Sequence, residues 1–117
     1  MNYIGKNFLI ERVSASKISK KYGTPIYCYS YNRLKKNVLN LKKNFKSFRP
    51  LLCFSVKSNA NINLLKEIKK LGCGADVVSI GELIVALKAG INVNKIVFSG
   101  VGKNSKEIKY AIEKKIL

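Results

Sequence analysis

Histidine is absent from the sequence, and acidic residues are scarce, six against 23 lysines and arginines. Without histidine, and with Cys28, Cys53 and Cys73 in no metal-type spacing, there is no ligand set for a zinc site. Three cysteines also make no disulfide framework; reduced thiols fit a cytoplasmic protein. No apolar stretch approaches the length of a membrane span, so no membrane partner is expected. The opening MNYIGKNFLIER lacks the long apolar region of a secretory signal. Low-complexity segments and obvious linkers are missing too.

Lysine is what the chain has in abundance. The net charge of +17 invites a nucleic-acid partner. Only Arg12, Arg33 and Arg49 carry the planar guanidinium favoured for reading phosphates and bases, however, and the lysines are scattered over several helical faces. We therefore expect a solvated, lysine-rich surface and no nucleic-acid partner; a small basic nucleic-acid binder would instead show steeply salt-dependent binding. At 117 residues and 47% hydrophobic content, the chain can build the core of one small domain.

Met1 to Lys21 reads as an amphipathic lead-in, with Ser14 or Ser16 capping a short helix. Tyr22-Gly23-Thr24-Pro25 is a turn, and Ile26–Ser30, rich in β-branched and aromatic residues, reads as a strand. Ser30 stands where an N-cap would, before a helix from Tyr31 to Phe45 with Leu34, Val38, Leu41 and Phe45 at helical spacing. After Pro50 the pattern is regular. Strands at Leu51–Lys57, Gly74–Ser79 and Lys95–Ser99 alternate with helices at Ile62–Leu71, Ile80–Ala89 and Ser105–Lys115, with Gly72 and Gly90 as stops. Such alternation predicts an α/β fold, a parallel sheet covered by helices. The pattern stops after three βα units, whereas an eightfold barrel takes about 250 residues. The expectation is the N-terminal part of something larger.

The stretch around which these units are arranged is LLCFSVKSN, Leu51–Asn59. As a strand it puts Cys53, Ser55 and Lys57 on one face and Leu52, Phe54 and Val56 on the other. Two readings of Lys57 stand side by side. A desolvated amine at a strand's carboxyl end can attack an aldehyde and form a Schiff base; a strand-end lysine can also simply snorkel to solvent. Asp76, a carboxylate inside an apolar strand, requires a partner. Lys57 on the neighbouring strand would supply one, either for chemistry or as a purely structural ion pair, and the residues alone favour the structural pair. Ser79 and Glu82 have the spacing of a capping box, which accounts for both; Asn104 and Glu107 repeat it. Gly100-Val101-Gly102-Lys103 is a fragment of a phosphate loop without its full fingerprint, and reads better as a tight turn.

YGTPIYCYS, FSVKSN, GADVVSIGEL and IVFSGVGK, in this order and spacing from Tyr22 onward, resemble the N-terminal half-barrel of the diaminopimelate decarboxylases. These belong to the alanine-racemase-like class of pyridoxal phosphate (PLP) decarboxylases. FSVKSN resembles the family's lysine motif, with Ser55 and Ser58 where alanine is common; Ile80 stands where glycine is common. The resemblance implies the first three βα units of a (β/α)8 TIM barrel over 31–117. It assigns 1–30, through the Ile26–Ser30 strand, to a β-rich second domain. It implies that Lys57 binds PLP as a Schiff base, and that Asp76 and Glu82 are acidic residues close to the cofactor or its lysine. The implied reaction is decarboxylation of meso-2,6-diaminopimelate to L-lysine in a cytoplasmic homodimer with the active site at the interface. The family's cofactor-stacking histidine, glycine-rich phosphate loop, pyridine-pairing glutamate and partner-subunit cysteine segment would all lie beyond Leu117. Relatives acting on ornithine, arginine or carboxynorspermidine, and a truncated or non-catalytic relative, remain open alternatives.

Overall fold

The computed structural model describes residues 2–116, in two compact units, one ending at Leu41 and the other starting at Lys42.

The first unit opens with an antiparallel meander of β1 (Asn2–Ile4), β2 (Asn7–Ile10) and β3 (Val13–Ser14). Ile4 pairs with Asn7, so Gly5 and Lys6 alone form the first loop, with Gly5 at φ 57°, a conformation that costs glycine little. Ile10 pairs with Val13, and the second loop is Glu11-Arg12, with Glu11 at φ 59°. The lead-in is therefore mostly strand. Its runs are too short for their alternation to stand out before the helical pattern begins. Helix α1 (Ala15–Tyr22) follows, and Ser14 Oγ caps it by accepting from Lys17 N at 3.2 Å.

Ile26–Ser30 is not a strand. Tyr27 and Tyr29 are exposed there, and no neighbouring strand pairs with the segment among the described residues. Strand propensity expresses fit to a half-buried pleated surface, which this segment does not find. Helix α2 (Tyr31–Asn44) starts where expected, with Ser30 Oγ accepting from Arg33 N at 3.1 Å. Of its apolar stripe only Val38 is buried, while Leu41 and Phe45 remain exposed.

In the second unit β4 (Cys53–Ser55), β5 (Gly74–Val77) and β6 (Ile96–Phe98) form a parallel sheet in that order. Helices α3 (Ile62–Lys70), α4 (Ile80–Lys88) and α5 (Ser105–Glu113) follow the strands in turn. Right-handed crossovers put all such helices on one side of the sheet. That side is the core: Ala75, Val77, Ile96 and Phe98 from the strands meet Leu65, Leu83, Ala86 and Ala111 from the helices. The α/β parallel architecture expected from the alternation is thus present. The strands pack closely at Gly74, where an added Cβ would lie 2.0 Å from the Lys95 carbonyl oxygen.

Candidate active site

Register decides what lies on the other side of this sheet. Ser55, Asp76 and Val97 are aligned across β4, β5 and β6, and side chains alternate along each strand. Cys53, Ser55, Asp76 and Val97 therefore share the face opposite the helices. On this face Val97 is 38% exposed, although its neighbours along the strand, Ile96 and Phe98, are buried.

Lys57 does not continue the β4 pleat. The chain turns into a one-turn 3-10 helix at Val56–Ser58, so the strand ends two residues before the lysine. The turn is clamped. Val56 is fully buried in the core, Ser58 Oγ donates to the Ser55 carbonyl at 2.7 Å, and Asn59 N donates to the Val56 carbonyl at 3.0 Å. Asn59 and Asn61 then accept from Asn61 N and Asn63 N, both at 2.9 Å, and Asn61 starts α3. The backbone beneath Lys57 is thus fixed at the carboxyl edge of the sheet. Its side chain is exposed, with no hydrogen-bond or ion-pair partner among the described residues. The expected Lys57–Asp76 ion pair is not formed. These residues alone do not enclose the amine.

Asp76 pairs elsewhere. Ser99 Oγ, just past β6, donates to Asp76 Oδ1 at 2.5 Å, joining residues 23 positions apart. Sequence reasoning missed this contact because the strand register, not local spacing, brings the two together. The Asp76 charge also acts on Cys53: burial first, and Asp76 second, push the Cys53 thiol above its ordinary value. Cys73 is pushed up too, by burial, against the opposing charges of Lys42 and Lys95. Raised thiols are poor nucleophiles, so Cys53 and Cys73 add no reactive centre here. Ser55 contributes the one orphan: its Oγ is buried without a hydrogen-bond partner among the described residues. Such a hydroxyl costs about 1–3 kcal/mol when left unsatisfied.

Glu82 closes the β5–α4 turn. Its Oε2 accepts from Val78 N at 3.0 Å, while Glu82 N donates to Ser79 Oγ at 3.3 Å. The pattern is a capping box displaced by one residue, and it holds the loop directly after Asp76. Asn104 and Glu107 form the capping box in full at the start of α5. The glycine-flanked loop is a turn closed by its own lysine: Lys103 Nζ donates to the Ser99 carbonyl at 3.1 Å and to the Gly100 carbonyl, and sits 5.1 Å from the Phe98 ring centre.

Lys57 on its fixed turn, Asp76 held on the next strand and the buried Ser55 hydroxyl in register with Asp76 thus come from adjacent elements of the sheet. Residues 31–117 match the family model described as "Pyridoxal-dependent decarboxylase, pyridoxal binding domain". The diaminopimelate decarboxylase of Helicobacter pylori is 46% identical over 101 residues, covering 86% of this chain and 25% of that protein. The diaminopimelate decarboxylase of Aquifex aeolicus is 42% identical over 117 residues, all of this chain and 27% of that protein. The crystal structure of Helicobacter pylori diaminopimelate decarboxylase complexed with L-lysine matches with a TM-score of 0.83 and 43% identity, covering 87% of this chain and 26% of that one. The chain spans about a quarter of the length of the curated relatives it matches. On the match over residues 31–117, this chain belongs to the pyridoxal-dependent decarboxylases, within their pyridoxal-binding domain.

Proposed function

We propose that this chain supplies the lysine-bearing quarter of a diaminopimelate decarboxylase, which converts meso-2,6-diaminopimelate to L-lysine and carbon dioxide in lysine biosynthesis. The observation that carries this reading is Lys57, an unpaired amine on a clamped turn at the carboxyl end of a parallel strand. The identity of 46% to a protein of that name supports the choice of substrate. So does the L-lysine, the product of the proposed reaction, bound in the Helicobacter pylori structure.

The residues fit pyridoxal phosphate. Its aldehyde calls for an accessible amine, which Lys57 provides, and the unsatisfied Ser55 Oγ beside Asp76 is free to bond a polar ligand. Once bound, the cofactor supplies an electron sink for the charge left when a carboxylate departs. Lys57 would hold it through Nζ. Asp76, itself held by Ser99, would balance positive charge at that edge of the sheet. Glu82 would act through the backbone, by fixing the loop that follows Asp76. In this reading β4, β5 and β6 are the first three strands of a (β/α)8 barrel, and residues 1–30 belong with a β-rich second domain. The working protein is a cytoplasmic homodimer with its active site at the interface.

The test is a chimera in which this chain replaces the matching quarter of the Helicobacter pylori enzyme. Carbon dioxide release from meso-diaminopimelate should persist in the chimera and vanish with Lys57→Arg, which keeps the charge but not a condensable amine. Undiminished release from the Lys57→Arg chimera would overturn the proposal, and faster release from ornithine or arginine would reassign the substrate.

A further inference from the structure

Ser99 links two otherwise separate features, the carboxyl end of β6 and the carboxylate on β5. We propose that Ser99 is a positioning residue: its hydroxyl fixes the Asp76 carboxylate on the sheet face opposite the helices, one strand over from the turn that carries Lys57. This rests on the reading of Lys57 as the cofactor-bearing lysine. The bond from Ser99 Oγ to Asp76 Oδ1, at 2.5 Å, is charge-assisted and half-buried, which makes it stronger and more directional than a neutral contact. Ser99 is itself held from behind. Its carbonyl receives Lys103 Nζ at 3.1 Å, and that amine also bonds the Gly100 carbonyl and rests on the ring of buried Phe98. A restraint therefore runs from Phe98 and Lys103 through Ser99 to the carboxylate. On the β4 side, Ser55 lies in register with Asp76 but leaves its own hydroxyl unpaired, so Ser99 alone among the described residues fixes the acid by a side-chain hydrogen bond.

On β4, Cys53 is an ionisable group within electrostatic reach of Asp76. Beyond β6, the Lys103 amine is taken up by the Ser99 and Gly100 carbonyls. Behind β5, α4 presents apolar Leu83 and Ala86, and the Glu82 carboxylate is engaged by Val78 N. Asp76 thus depends on Ser99 for its orientation.

The experiment uses the 117-residue chain with two readouts: the carbon-13 resonance of the Asp76 carboxyl without cofactor, and the visible absorption formed with added pyridoxal phosphate. Ser99→Ala should shift that resonance and lower the absorption formed at one equivalent of cofactor severalfold. Ser99→Thr, which keeps the hydroxyl, should restore both. In an Asp76→Asn background, Ser99→Ala should produce no further change in absorption. Ser99→Cys, a weak donor of similar size, should act on both readouts as alanine does and covers the case in which the alanine variant does not fold. If Lys57→Ala abolishes the absorption while the Ser99 variants behave like the wild type, the positioning role is overturned and the reading of Lys57 stands. If Lys57→Ala absorbs undiminished, that reading is overturned, and the role of Ser99 with it.

Discussion

In the unit that starts at Lys42, Val56, Leu65, Ala75, Val77, Leu83, Ala86 and Ile96 are fully buried; in the unit that ends at Leu41, Val38, at 8% exposure, is the one buried side chain among the described residues. The unit from Lys42 is built by apolar burial between a parallel sheet and its helices. The unit that ends at Leu41 shows polar contacts at its surface. Glu11, on the β2–β3 loop, accepts from Ser30 Oγ at 2.7 Å, from Asn32 N at 2.9 Å and from Asn32 Nδ2 at 3.1 Å. It thereby places a negative charge at the N-terminus of α2, where the helix dipole favours one. A lysine that must be held in place belongs on the unit with the core, and Lys57 is there. Its turn is pinned by Val56, so the stability of that core and the position of the amine are linked.

The contrast predicts unequal responses to substitution. Leu65→Ala removes a fully buried side chain from the sheet–helix core and should cost about 2–5 kcal/mol. Urea unfolding followed by helical circular dichroism measures it, and a cost below 1 kcal/mol would mean the core is not what holds this unit. Gly74→Ala should cost about 1–3 kcal/mol, because its Cβ would meet backbone, the Lys95 carbonyl, which cannot swing aside. A wild-type midpoint for that variant would show that β5 and β6 are less closely packed.

Glu11→Ala should have the smallest effect on overall unfolding, and its effect should depend on pH. The bonds from Asn32 N and Ser30 Oγ hold the Glu11 carboxyl below its ordinary value. A group whose folded value is depressed stabilises fully above its unfolded value, near about 4.3, and loses that contribution as pH falls through the lower folded value. Amide exchange at the start of α2 should therefore be faster in Glu11→Ala than in wild type at neutral pH. The two should converge in acid. A difference that persists in strong acid would mean the carboxylate charge is not the cause.

The same contrast explains what could be read from the sequence. In the second unit each element announces itself locally. Leu64, Leu65 and Ile68 mark α3, Gly72 stops it, and Asn104 with Glu107 caps α5, so βα alternation and the motif around Lys57 were legible without a structure. The strand before Lys57 covers Cys53–Ser55 rather than Leu51–Lys57, two residues shorter at each end, because an apolar run does not reveal where a pleat begins or gives way to a turn. In the first unit the decisive contacts span 19 and 21 residues, from Glu11 to Ser30 and Asn32, and no local spacing announces them. The Gly5-Lys6 loop was the available signal for the hairpin, but its flanking strands are only three and four residues long. Asp76 stood out as a charge in an apolar strand; its partner did not, because Ser99 reaches it only through the β5–β6 register.

The central claim concerns one amine in a chain with many. Pyridoxal phosphate added at one equivalent, reduced with borohydride and located by peptide mapping, identifies the lysine that captures it. The account predicts that the label falls on Lys57, and that Lys103, whose amine is taken up by two carbonyls, stays clear. A label spread evenly over the exposed lysines, with Lys57 no richer than the rest, would contradict it.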